Sequence, residues 1–501
     1  MANRNYRRLG AAGPNVLPRV AAMEDRAPVS IEDFGADTGA DDNWQAITDA
    51  MAAAAGERPV LIPEGVWFLR DTLRPPSNTV LMGRGWQSVL KMRGDVGREK
   101  SLVVTGDMAD TREHIRVQDL MLDFNQDRWG ITGASIDYER DSNQSCLVVS
   151  STKYCWVERV KAVWARKHGI NISGSDNVRG DDDPFSYSAF PSRFVWVTDC
   201  LGQFAGDDCI TTHMVSDVWI TRCVAKDAQA DFVGNSNGIE IDDGSRNIWV
   251  TDCTVYRCNY GFETKGHFDT PAPYNVYFSG TNTAVNCNAS FNVRHTGFQS
   301  GEPISATARN VYCDTIKSVA PRQANPKFSA VVRHVRITSY ENVHIKTLIM
   351  TDGSEDLDAQ EILPQDTLTG NMCWLFGNAK NIRIDDVFLK GVPNADKGIY
   401  VTASFGGGVY IGHLTVRDGP VEALHFFTEV TPAWVMSFDI EGSGQQNGIR
   451  LSGGISASNF KYVGPGVSSG YSTAVLWNST SYSNPIVGIP TDLVTAGSVN
   501  P

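Results

Sequence analysis

Cys209-Ile210-Thr211-Thr212-His213, Gly238-Ile239-Glu240-Ile241-Asp242, Gly261-Phe262-Glu263-Thr264-Lys265 and Ser290-Phe291-Asn292-Val293-Arg294 are four versions of one pattern between Ala205 and Phe298. Period-two alternation puts Ile210, Ile239, Phe262 and Phe291 on one face and their neighbours on the other. The copies recur at spacings of 29, 23 and 29 residues, the length of one solenoid turn. Stacked in register, rungs lie about 4.8 Å apart. Two outward polar columns follow: Thr211, Glu240, Glu263, Asn292, and beside it His213, Asp242, Lys265, Arg294. The fold expected is all-β, a single-stranded parallel β-helix.

Composition is that of a globular chain, 42% hydrophobic and 20% charged, and no apolar run approaches the ~20 residues of a membrane span. A net charge of −13 argues against nucleic acid as partner. Ten cysteines fall at rung-like intervals without a CxxC pair, which reads as buried thiols filling a core. The basic start Met1-Ala2-Asn3-Arg4-Asn5-Tyr6-Arg7-Arg8 lacks an apolar stretch after it, so no signal peptide is expected.

In chain order, residues 1–28 read as a flexible or partner-held leader. Residues 29–100 read as an N-terminal cap with the first turns, 101–462 as the β-helix with its groove, and 463–501 as a C-terminal cap or tail. Asp42 is expected to cap a short helix with Gln45 at the capping-box position, Trp44, Ile47 and Met51 on one face, and Gly56 as its end. A long interval before Ile210 holds the stretch Gly174 to Ser192, expected to form a rim loop beside the richest rungs.

Phe34-Gly35-Ala36-Asp37, Asp41-Asp42, a helix, then Ile62-Pro63-Glu64-Gly65 resembles the start of the pectate-lyase-like right-handed β-helices of phage tailspikes. Gly206-Asp207-Asp208-Cys209-Ile210 resembles the Gly-Asp-Asp-Cys or Gln-Asp-Asp-Cys signature of polygalacturonases, whose Asp pair provides the general acid and positions the attacking water. Where that family carries Arg-Ile-Lys, this chain has Glu263-Thr264-Lys265, matching the lysine. A closer resemblance, over roughly residues 29–310, is to phage tailspike depolymerases, through Gly206 to His213, Gly234 to Arg246 and Lys265-Gly266-His267. It implies a right-handed β-helix that cleaves a bacterial surface polysaccharide, with a virion tail as its location, attachment to baseplate or tail through the N-terminus, and a homotrimer.

The residues themselves support acid-base work. Glu240 and Glu263 share a column on successive rungs, where carboxylates approach the about 5 Å of a retaining glycosidase pair. With Asp207 or Asp208 as partner instead, a gap of roughly 6.5–9.5 Å favours inversion. Glu240, Glu263, Asp207, Asp208 and Asp242 are thus candidate catalytic groups, and His213, Lys265, His267, Arg294, His295, Asp243 and Arg246 candidate substrate-binding groups. The bland alternative is turn caps and a solvated ion-pair ladder. His213, Lys265, Arg294 and His295 also fit a lyase, in which a base takes the proton α to a uronate carboxylate. A non-catalytic glycan-binding fibre is the reading from another class. No metal site, cofactor or membrane partner is expected, and His168, His334, His344 and His413 stand isolated in the sequence and read as structural.

A second ladder, Trp156, Trp196, Trp219, Trp249 and Tyr277 beside Val157, Val197, Ile220, Val250 and Phe278, faces outward if the aliphatics face in. Such a row is a partner or sugar surface, and the flank expected for trimer formation.

Overall fold

The computed structural model describes residues 26–93, 100–106, 110–125, 144–174, 191–228, 236–267, 270–295, 308–323, 332–354, 362–363, 365, 368, 370–402, 407–427, 433–452, 460–462, 466–478 and 494–496. The expected rim loop, apart from its ends, and most of the leader lie outside them. The chain divides into two compact units, Met1–Thr254 and Val255–Pro501. Each winds as turns of a right-handed parallel β-helix.

In the first unit the strand Val29–Ser30 and a short 3-10 turn precede the helix Trp44–Ala54, which buries Ile47, Ala50, Met51 and Ala54. Its cap differs from the expectation: Asn43 is the N-cap, with no side-chain bond to the helix. Asn43 instead accepts from the Asp37 N–H at 2.8 Å, while Asp42 accepts from the Trp44 N–H at 3.0 Å. Gln45 reaches forward to Asp49 at 2.8 Å, so no capping box forms. Ala55 already turns left-handed at φ 49°, one residue before Gly56.

Three strands per turn follow. Leu147–Ser150, Ile170–Ser173, Ile210–His213 and Asn237–Asp242 stack in parallel, with Ile170 beside Ile210 and Ile210 beside Ile239 as the alternation requires. On the next sheet Val157, Val197, Ile220 and Val250 are fully buried. The aromatics therefore take the opposite face, and they stack on one another: Trp156–Trp196 at 5.2 Å, Trp196–Trp219 at 5.1 Å and Trp219–Trp249 at 4.9 Å, with rings within 10° of parallel.

The turn after that sheet repeats a left-handed residue at Asp119, Arg159, Asp199, Arg222 and Asp252, with φ from 51° to 56°. A left-handed conformation costs a non-glycine residue roughly 1–2 kcal/mol, least for Asp and Asn, whose side chains bond locally. The alternation of sign gives a partner to each arginine: Arg159 grips Asp119 through two bonds of 2.5 and 2.8 Å, and Arg222 grips Asp199 at 2.7 and 2.8 Å.

The second unit repeats the scheme with Phe262, Phe291, Val335, Cys373, Ile399 and Leu424 in one inward column. Its left-handed turn is an asparagine ladder, Asn275, Asn310, Asn342 and Asn381, whose side-chain amides bond rung to rung at 3.0 to 3.3 Å. Parallel pairing continues past residue 462 into Gly466–Asn478 and Val494–Ala496, beyond the expected boundary. The Ser and Gly content of that stretch reads as a tail, although Ala474-Val475-Leu476-Trp477 within it is a short apolar run of the kind a strand carries. All ten cysteines are free and buried, as expected. Among the described residues no helix is long and apolar enough to cross a membrane.

Candidate active site

Gly206 opens the turn that carries the acid pair, and only glycine fits there: a Cβ would lie 2.0 Å from the Arg166 carbonyl oxygen. The turn is pinned to the preceding rung by Gly206 N–H to Ala165 at 2.9 Å and Asp207 N–H to Lys167 at 2.9 Å. This sets Asp207 and Asp208 beside His168. His168 Nε2 lies 3.5 Å from an oxygen of each, and all three residues are buried.

The next rung extends the cluster. The Asn237 N–H donates to Asp208 Oδ1 at 3.1 Å, and Asn237 Nδ2 donates to Glu240 Oε1 at 2.6 Å. Thr211 Oγ1 donates to Glu240 Oε2 at 3.0 Å and lies 3.2 Å from His213 Nε2. The other nitrogen of His213 stands 3.8 Å from Asp242 and 3.7 Å from Asp243. The two imidazole rings are 5.5 Å apart. One face of the first unit therefore gathers Asp207, Asp208, Glu240, Asp242, Asp243, His168 and His213. Arg246 lies half-buried on the following strand, in register with Ser216.

Within each unit the expected columns stand in register, Thr211 beside Glu240 and His213 beside Asp242 in the first, Glu263 beside Asn292 and Lys265 beside Arg294 in the second, but they are not solvated. Glu240 and Asp242 are each 1% exposed, and the Thr211 hydroxyl of the preceding rung and the Asn237 amide of the same strand close on the Glu240 carboxylate. His213, with 19% of its side chain exposed, is the member most open to solvent. His168 corrects the reading of an isolated histidine. Since Ile170 and Ile210 are in register, the residues two positions before each must be neighbours, and that register alone could have found it.

Two groupings, His168 with Asp207 and Asp208, and His213 with Asp242 and Asp243, each bring three donor atoms within 4.8 Å of one another. One imidazole nitrogen and two carboxylate oxygens form a set that can take a divalent cation. Spacing along the chain shows no such set; the rungs assemble it.

In the second unit Glu263 is fully buried. Arg294 Nε donates to its Oε1 at 2.7 Å, and Asn292 donates to the same oxygen. The Arg294 guanidinium also lies 5.4 Å from the Tyr260 ring centre. Lys265 pairs in register with Arg294 and is buried. His295 is 2% exposed with Nε2 at 3.0 Å from the Thr270 carbonyl, a structural clamp, and His267 is half-buried, its N–H bonded to Thr270 Oγ1 at 3.0 Å.

Residues 28–151 match the family described as "Rhamnogalacturonase A/epimerase, pectate lyase-like". Over 484 residues, 94% of this chain and 51% of the relative, it is 29% identical to the pre-neck appendage protein of Bacillus phage B103. The crystal structure of the phage phi29 gene product 12 N-terminal fragment superposes with a TM-score of 0.78 at 28% identity, over 92% of this chain and 74% of that one. The chain resembles phage appendage proteins. The resemblance expected from the motifs, to pectate-lyase-like β-helices of phage surface proteins, therefore holds. The A-module of the Azotobacter vinelandii mannuronan C-5 epimerase AlgE4 shares the fold, with a TM-score of 0.55 at 14% identity over 85% of this chain and 98% of that one. The chain spans about half the length of the phage B103 relative, 51% of it.

Proposed function

We propose that the chain is the glycan-cleaving β-helix of a phage appendage, hydrolysing a bacterial surface polysaccharide (capsule, exopolysaccharide or O-antigen) by acid-base chemistry. The observation that carries this reading is the run Asp208, Asn237, Glu240, Thr211, His213, buried except at His213 and joined by contacts of 3.1, 2.6, 3.0 and 3.2 Å. Amide and hydroxyl groups hold a carboxyl group in one orientation whether or not it carries a proton. That is what glycoside hydrolysis needs: one carboxyl to protonate the leaving oxygen, another to activate water or attack the anomeric carbon.

In this scheme Asp207 or Asp208 delivers the proton, with His168 orienting the pair, and Glu240 is the base or nucleophile. Asp242, Asp243 and His213 orient substrate. Glu263 is the candidate acid-base group of the second unit, and Lys265 and Arg294 hold substrate charge there. Those two cations also favour a second reading, elimination at a uronate. By likeness to the phage appendage relatives we place the protein on the virion; attachment through its N-terminal part and a homotrimer are carried over from the tailspike resemblance of its motifs.

Incubation with purified capsules, exopolysaccharides and O-antigens tests the reading. Hydrolysis yields new reducing ends without ultraviolet absorbance. Absorbing unsaturated uronate ends point to the lyase instead, and unchanged polymers across the panel leave a binding fibre.

A further inference from the structure

Beyond the acid-base groups, the second unit carries a polar face continuous with Glu263 that no catalytic role uses. Register places Glu263, Asn292, Arg336, Trp374, Tyr400 and His425 in one column. At about 4.8 Å per rung, Tyr400 stands roughly 19 Å along that column from Glu263. Half-buried Tyr400 and Phe427, the latter 46% exposed, meet edge to face at 6.3 Å. Cations are laid on the aromatic faces: Arg333 lies 4.6 Å from the Trp374 ring centre, Arg336 5.7 Å from Phe376, and Lys397 4.9 Å from Tyr400. The Trp374 Nε1–H is buried and donates to no acceptor among the described residues.

We propose that Arg333, Arg336, Trp374, Lys397, Tyr400 and Phe427 form a second binding strip, which takes an acidic polysaccharide segment on the same face as Glu263. Aromatic platforms hold the apolar faces of sugar rings, as they do other flat or amphipathic ligands, and the basic groups hold the acidic substituents. The charge of the strip points to that occupant. Its six members include three cations and no acid, in a chain whose net charge is −13. The nearby acid Glu422 is already held by Arg450 at 2.8 Å and lies 2.8 Å from His425 Nδ1. Burial and the neighbouring Arg336 push Arg333 down to about 10, and a bound anion favours its charged form. The inference shares with the proposed function only the class of ligand, a polysaccharide, and does not depend on cleavage.

The test is affinity electrophoresis of the full chain through gels containing polygalacturonate (carboxylate), yeast phosphomannan (phosphate) or neutral dextran. At least one acidic polymer retards the wild type and dextran does not, and the polymer that acts identifies the anion. Tyr400→Ala, Phe427→Ala and Lys397→Gln each weaken the retardation at least about fivefold, the effect of losing one strong contact. Phe427 is exposed enough that its variant keeps the wild-type melting curve, which separates lost binding from lost folding. Equal retardation of variants and wild type, or no retardation of the wild type by either acidic polymer, overturns the strip. So does sedimentation showing that Phe427→Ala dissociates an oligomer, since the face is then a subunit contact. Cleavage without strip-dependent binding removes this inference alone, and strip-dependent binding without cleavage removes only the hydrolase reading.

Discussion

Asn237 Nδ2 donates to Glu240 Oε1 across 2.6 Å, and the two residues are 0% and 1% exposed. Glu240 owes its orientation to this amide and to Thr211, so removing the amide leaves a buried carboxylate short of a donor. An unmet buried polar group costs about 1–3 kcal/mol, more if it is charged. Asn237→Ala is expected to lower the melting temperature and to reduce glycan cleavage at least about tenfold. An unchanged rate in a folded Asn237→Ala protein removes Asn237 from the site.

Gly206→Ala is expected to fail where Asp207→Asn does not. The added Cβ meets the Arg166 carbonyl oxygen at 2.0 Å, and backbone on both sides has no flexible side chain to yield. Soluble expression and thermal melting of the two variants compare the same turn with and without the clash. Equal melting temperatures contradict the close approach of the rungs.

Trp219 is 7% exposed and stacked on both faces, by Trp196 at 5.1 Å and Trp249 at 4.9 Å. Its truncation to alanine breaks the ladder at mid-length and is expected to cost about 3–5 kcal/mol, as for other buried aromatics. Urea denaturation measures this. Light scattering of the wild type tests the proposed trimer: a monomer mass at micromolar concentration sinks it.

Acid sensitivity is expected from His334. Burial lowers its pKa to about 3 from an ordinary 6.5, and Ser318 Oγ sits 2.7 Å from its Nδ1. The folded pKa is depressed, so below pH 6.5 the unfolded chain takes up a proton that the folded chain refuses. Stability present above pH 6.5 is therefore lost progressively as pH falls towards 3. His334→Gln is expected to flatten this part of the stability profile, read by melting temperature against pH. An unchanged slope between these limits contradicts a neutral buried imidazole.

Much of the fold is legible in the alternation alone. The pairs Ile210 with Ile239 and Phe262 with Phe291 stand in the register that the repeats require, and the outward face of the Trp row follows from the buried Val157, Val197 and Ile220. What escaped was set by neighbours in space. The alternating Asp and Arg of the left-handed turn lie 23 to 40 residues apart in sequence and pair only once stacked. His168 belongs to the acid pair because one rung lies over another. The depth of Glu240 was hidden because polar type argues for exposure, whereas a carboxylate met by an amide and a hydroxyl can be buried. Asn43 stands at the N-cap position with its side chain turned to the Asp37 loop, a contact that local propensity does not contain, while Asp42 still accepts from the Trp44 N–H.

The central claim, that the cluster of the first unit performs the chemistry, is tested most directly by single-turnover cleavage of a susceptible polysaccharide by the wild type, Asp208→Asn and Glu240→Gln. Glu263→Gln, tested alongside them, reports on the second unit. Loss of a proton-transfer group lowers the rate by ~10²–10⁴-fold. Asp208→Asn and Glu240→Gln are each expected to fall by that amount while polysaccharide binding and melting temperature hold. Wild-type rates in both would contradict the account and move the chemistry away from Asp208 and Glu240.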